Sequence, residues 1–274
     1  MKYIPLGLQC SVPNGIHKAN MREYSYLFDW LWCPAQTSYN ILELLINSGI
    51  DSTINYMCSG WSYYKYLENE HYLSIKYKST CQMNKNTGLG ITRFEINPDF
   101  KSKIKRRTER LLLDLKSNDK LIFIYADAAN PNNNYHLDGV QYGVDATLHL
   151  IKIYKLLYKI NNNIAIIYFC WPSRSKNVNF INYVEFNHKD HWCDVGDLIC
   201  DYIKKIENCE INVTDLFTKQ NIVFSNIPVP VPIPIPTTNI KKNLLVKTQK
   251  TSTILTSNKK AIKKPNATVI IKKF

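Results

Sequence analysis

The chain has 274 residues, 45% hydrophobic and 12% aromatic, enough for one sizeable domain or one domain with appendages. Its formal net charge of +13 is unevenly spread: Lys241–Lys273 contains ten Lys and no Asp or Glu, which leaves +3 for everything before it. The basic character is thus confined to a C-terminal tail, and no apolar run reaches the roughly 18–20 residues that span a bilayer.

Residues 3–8 read as a short buried strand, and residues 11–22 as a short helix made irregular by Pro13 and Gly15. Residues 37–48 form a better helix, with Thr37 or Ser38 as cap, Ile41, Leu44, Leu45 and Ser48 on one face, and Gly49 as the stop. Residues 54–96 are Tyr-rich with intermittent alternation, which predicts short strands, loops and one or two antiparallel hairpins. The clearest helix runs from Asp99 to Ser117, with Ile104, Leu111, Leu112 and Leu115 inward and a basic outer face. Lys120–Ala126 is a buried strand and Asn130–Gly139 a polar loop. Gly143–Lys159 returns to helical spacing through Leu148, Ile151, Tyr154, Leu157 and Tyr158, and Ile164–Cys170 is a second buried strand. Val178–Phe186 adds a strand and Val195–Ile206 a helix. Continuous apolar strands alternating with helices predict an α/β fold: a layered mixed or mainly parallel sheet, at least three strands parallel, flanked by helices.

From Ile227 every second residue is Pro, which removes ladder donors and favours polyproline II, a stiff spacer of roughly 28 Å. The expected organisation is an α/β domain over 1–226, a polyproline II linker over 227–237 and a disordered, basic, low-complexity tail over 238–274. The eight Cys lack C-x-x-C spacing, which argues against a zinc ribbon or thioredoxin motif. Met1–Pro5 has no signal-peptide core, so the thiols are expected to be reduced and the protein intracellular.

Cys10 is the most informative residue. A short apolar strand, then Gly7, then a Cys opening a helix places a thiol where backbone N–H groups point outward, a position that favours thiolate. Leu6-Gly7-Leu8-Gln9-Cys10 followed by Phe28-Asp29-Trp30 resembles the "LGxxC … PFDW" signature of the DUF1796 family of papain-like cysteine peptidases, which has members in bacteria and large DNA viruses. The helix Lys105–Leu111 running into Leu121–Ile124 resembles that family's second block, and Leu27 stands where the family usually has Pro. The resemblance spans roughly residues 3–205 and implies a cysteine hydrolase acting on a peptide, ester or glycan. The Asn-, Lys-, Ile- and Tyr-rich composition fits a viral member, which would work in the host cytoplasm or the virion.

Such an enzyme needs a base within reach of the thiol and a group to orient that base. His188 and His191 follow the last strand, where open α/β sheets build sites, with Asp190 or Asp194 as orienter; His136 is the next choice. Asp29, between Phe28 and Trp30, reads as a buried carboxylate that orients a His or holds backbone donors. Gln9 is placed, by analogy with papain-like sites, as an oxyanion donor. Arg106, Arg107 and Arg110 read as a solvated face, an anion contact or a salt bridge to Asp29. The run His188–Asp194 lacks zincin spacing, and no phosphate-binding Gly motif is present, so no metal or cofactor is expected. The competing reading is a non-catalytic α/β binding module. There Lys241–Lys273 would tether the protein to nucleic acid or an acidic partner, whereas the plainer reading of the tail is a solvated segment.

Overall fold

The computed structural model describes residues 1–8, 10–59, 61–63, 82–84, 90–91, 98–127, 136–137, 140–141, 145–174, 178–186 and 192–218. In chain order the elements are β1 (Lys2–Pro5), α1 (Ser11–Lys18), β2 (Leu31–Trp32), α2 (Ala35–Cys58), β3 (Trp61–Tyr63), β4 (Gln82–Asn84), β5 (Gly90–Ile91) and α3 (Pro98–Leu115). Then come β6 (Leu121–Ala126), β7 (His136–Leu137), β8 (Val140–Gln141), α4 (Thr147–Tyr158), β9 (Ile164–Cys170), β10 (Ile181–Glu185), α5 (Trp192–Glu207) and α6 (Val213–Thr218).

The centre is a four-stranded, all-parallel sheet in the order β1-β6-β9-β10. β6 and β9 are buried at every position because helices cover both faces, which is why they read as unbroken apolar runs. Side chains alternate between two cores. Ile4, Phe123, Ile166 and Ile181 face α2, α3 and α4, while Tyr3, Ile122, Ile124, Ile167 and Phe169 face α1, α5 and α6. β9 returns to β10 through only ten residues, Trp171–Phe180, with a 3-10 turn at Pro172–Arg174 in place of a helix. A second, antiparallel sheet in the order β2-β5-β4-β3 supplies the hairpins expected of the Tyr-rich stretch.

One row of tyrosines ties sheet to helices. Tyr125, Tyr168 and Tyr183 stand side by side in the register of β6, β9 and β10. The Ala35 N–H at the start of α2 donates to the Tyr125 hydroxyl at 3.2 Å, and the Ala146 N–H before α4 donates to the Tyr168 hydroxyl at 3.3 Å. Pro34 and Ala146, the N-cap residues of these helices, make no side-chain cap, so cross-sheet phenols do that work.

Three expectations are corrected. α2 begins at Ala35, and Ser38 is not its cap: its hydroxyl donates to the Leu6 carbonyl instead. Gly49 breaks helical geometry, with φ 81° and ψ −175°, but only kinks α2, which resumes and runs to Cys58. In α4 the inward face is Leu150, Ile153, Tyr154 and Leu157, and Leu148 is 51% exposed. Residues 227–274 lie outside the described residues.

Candidate active site at the carboxyl edge of the sheet

The turn after β1 is tightly specified. The Leu6 N–H still donates to Ile124 O at 2.8 Å, and then Gly7 and Leu8 take φ of 105° and 73°. A Cβ at Gly7 would stand 2.6 Å from the Cys33 Cβ and 2.8 Å from its carbonyl oxygen, so only Gly fits. A left-handed Leu costs about 1–2 kcal/mol. Burial of its side chain (3% exposed) and a 2.9 Å bond from its N–H to the Cys33 carbonyl offset that cost. Cys33 lies 3.1 Å from the Ser38 hydroxyl, and burial pushes its thiol up to about 12, so it is inert at neutral pH.

This turn delivers Cys10 to the N-cap of α1, where its carbonyl accepts the Asn14 N–H at 3.1 Å. Pro13 is tolerated because its position in the first turn needs no intrahelical donor. Cys10 is half-buried, neither sealed in hydrocarbon nor fully solvated. α1 packs on α5 through two glycines. A Cβ at Gly15 would meet Ile199 Cγ2 at 2.6 Å and Gly196 O at 2.7 Å, and one at Gly196 would meet Asn14 Nδ2 at 2.8 Å and Ser11 O at 3.3 Å. The start of α1 therefore packs on the second turn of α5, at Gly196 and Ile199, and α5 starts at Trp192, the residue after His191.

β1 and β6 are adjacent, yet the chain leaves β1 for α1 on one face and β6 for α4 on the other. Diverging connections at the carboxyl ends of parallel strands are where open α/β sheets bind ligands. Cys10 stands on the β1 side. On the β6 side is Asp127, fully buried, which accepts from the Tyr168 hydroxyl at 2.9 Å and pairs with Arg174 Nη1 at 3.0 Å. Burial raises its carboxyl to about 6, against the pull of Arg174 and the phenol. Sequence reasoning missed both Asp127 and Arg174. The available signal was an acid closing an unbroken apolar strand, Leu121–Ala126.

Asp29 is 1% exposed and its carboxylate binds Arg22 at 2.6 Å. Burial raises it to about 6, while Arg22 and Arg107 lower it. The expected salt bridge from the Arg106–Arg110 helix face takes another form: Arg107 donates to the Asp29 backbone carbonyl at 3.1 Å, and Arg22 takes the carboxylate. Arg22 lines a small cleft with Met1, Lys2 and Tyr3 at the start of β1, whereas Cys10 follows that strand's end. Gln9, His188, Asp190 and His191 lie outside the described residues. His17 is exposed on α1, and His136 contributes its backbone to β7. Among the described residues no group of three His, Cys, Asp or Glu is placed to hold a metal, and no helix is long and apolar enough to cross a membrane.

The sequence profile of the family described as "Putative papain-like cysteine peptidase (DUF1796)" matches residues 1–140, just over half of the chain. The chain belongs to that family. The match takes in Cys10, Asp29, the α3 arginines, Asp127 and His136, and stops before His188. No curated protein and no solved structure matches the chain.

Proposed function

We propose that this member of the papain-like cysteine peptidase family is a thiol-dependent hydrolase of amides or esters with Cys10 as nucleophile. The observation that supports this best is the position of Cys10, half-buried at the N-cap of α1 where the connections from β1 and β6 diverge. In the reaction the Cys10 thiolate attacks the substrate carbonyl carbon, and a C–S bond forms as the oxygen takes negative charge. That charge meets backbone N–H groups of the first turn of α1 and the Gln9 side-chain amide. The C–N or C–O bond then breaks, the leaving group takes the proton held by the base, and water hydrolyses the thioester.

The base in this reading is His188 or His191, and the support is chain geometry: His191 directly precedes α5, whose Gly196, five residues on, lies against Ser11 and Asn14. Asp190 orients it, with Asp194, in the first turn of α5, as the alternative; Asp29, held by Arg22 at the start of β1, keeps a structural role. The end of the family match at residue 140 favours a second assignment, in which His136 is the base. The Lys241–Lys273 tail supplies a tether to nucleic acid or another acidic surface, independent of the chemistry.

Iodoacetamide labelling of the intact chain at pH 6–7, read residue by residue, tests the proposal. Cys10 is expected to react about tenfold faster than the exposed Cys209. The alanine variant of whichever His is the base slows Cys10 and no other cysteine. Labelling of Cys10 no faster than Cys209 removes the hydrolase reading and leaves a binding module.

A further inference from the structure

The Arg22–Trp30 turn and α3 bring three guanidinium groups, of Arg22, Arg107 and Arg110, onto Asp29 and Ser25. Arg22 Nη2 donates to Asp29 Oδ2 at 2.6 Å and to Ser25 Oγ at 2.7 Å. Arg107 Nη1 donates to the Asp29 carbonyl at 3.1 Å and Arg110 Nη1 to the Ser25 carbonyl at 3.3 Å. Arg106 is exposed beside them on α3.

Holding two carbonyls needs donors, not this much charge. Asp29 gives its carboxylate to Arg22, Asp114 of α3 takes Lys2 and the Tyr26 hydroxyl, Glu109 faces Lys105 at 3.9 Å, and the exposed Glu23 is the one further acid of the turn, so four Arg still outnumber the acids beside them. Arg106 and Arg110 are like charges four residues apart, an arrangement that weakens a helix. Burial lowers the Arg107 pKa, Arg22, Arg110 and Arg106 lower it further, and Asp29 opposes them. Each guanidinium carries five N–H groups, and Arg107 and Arg110 use one apiece on a carbonyl. Two are already fixed in orientation by aromatic faces, Arg22 over Trp30 at 5.3 Å and Arg110 over Tyr24 at 5.0 Å. A preset array of planar donors with surplus positive charge matches an oxyanion.

We propose that Arg106, Arg107 and Arg110, backed by Arg22, form a binding site for a tetrahedral oxyanion, a phosphate or sulfate group, where α3 meets the Arg22–Trp30 turn. This site does not depend on the chemistry of Cys10. Calorimetric titration of the full chain with inorganic phosphate, at ionic strength held constant with chloride, is expected to show binding. Arg106→Gln and Arg107→Lys are each expected to weaken it about tenfold. Arg106 is exposed with no hydrogen bond to lose among the described residues, so its variant keeps the fold. Both variants retain every lysine of the tail, so phosphate held there is unaffected. Equal affinity in wild type and both variants places the ion on the tail and overturns the site, as does the absence of binding over chloride. A parallel titration with phenyl phosphate separates the sources: tighter binding than inorganic phosphate assigns an ester, and equal binding assigns the free ion.

Discussion

The Arg22 guanidinium and the Asp29 carboxylate meet at 2.6 Å where Asp29 is 1% exposed, so the acid depends on this partner for its charge. Removing one member of a buried pair strands the other, at a cost of about 3–5 kcal/mol. Arg22→Met is expected to lower stability by about that amount, read from the urea midpoint. Adding Asp29→Asn to it is expected to restore part of the loss, because no charge is then stranded. A double variant as unstable as the sum of its parts would show that the pair does not interact.

Stability should also fall as pH rises through 6. Asp29 and Asp127 both titrate at about 6 in the folded chain, raised by burial, against about 3.9 when unfolded. Between those values the folded state keeps protons that the unfolded state has lost. The contribution is complete below the unfolded pKa and disappears as pH climbs through the folded one. Urea midpoints of the wild type between pH 4 and 7 are expected to carry this slope, and Asp127→Asn is expected to flatten it. An unchanged slope in the variant would count against the assignment for Asp127.

Tyr168→Phe isolates the phenol that accepts from Ala146 and donates to Asp127. Its loss strips one buried partner from each, and a destabilisation of about 1–3 kcal/mol is expected. Tyr125→Phe removes a single acceptor, that of the Ala35 N–H, and is expected to cost less. Chemical denaturation of the two variants side by side measures the order, and a reversal would show that the acid does not draw on Tyr168.

Gly7→Ala attacks the turn that carries the thiol. The added methyl meets Cys33 at under 3 Å, at a φ where L side chains are strained, and the combined cost is expected at about 2–5 kcal/mol. In whatever fraction folds, the iodoacetamide rate of Cys10 is expected to drop. A stable variant with wild-type reactivity would show that the turn does not position the sulfur.

What the amino-acid order reveals here follows from sequence distance. β6 and β9 could be read because two-sided burial leaves an unambiguous apolar run, and α3 because its apolar stripe keeps strict helical spacing. The phase of α4 is not legible because apolar residues lie on more than one side, and only packing decides that Leu148 faces out. The second half of α2 is hidden in the sequence because Gly49, which reads as a stop, is a kink. At the site, strand, Gly and Cys sit together in sequence and point to the α1 N-cap unaided. Asp127 meets Tyr168 and Arg174 only because neighbouring strands bring together residues more than forty positions apart, which no local pattern encodes.

The glycine contact between α1 and α5 has a consequence for biosynthesis. Val12 and Ile16 leave the ribosome early, but the surface that covers them, Val195 to Ile203, is made some 180 residues later. At about 5–20 residues per second this interval is roughly 10–35 s. A fragment ending near residue 140, however faithfully it carries the signature, would emerge with only β1 and β6 of the central sheet, without α4 or α5 to cover them, and ready to stick to others of its kind.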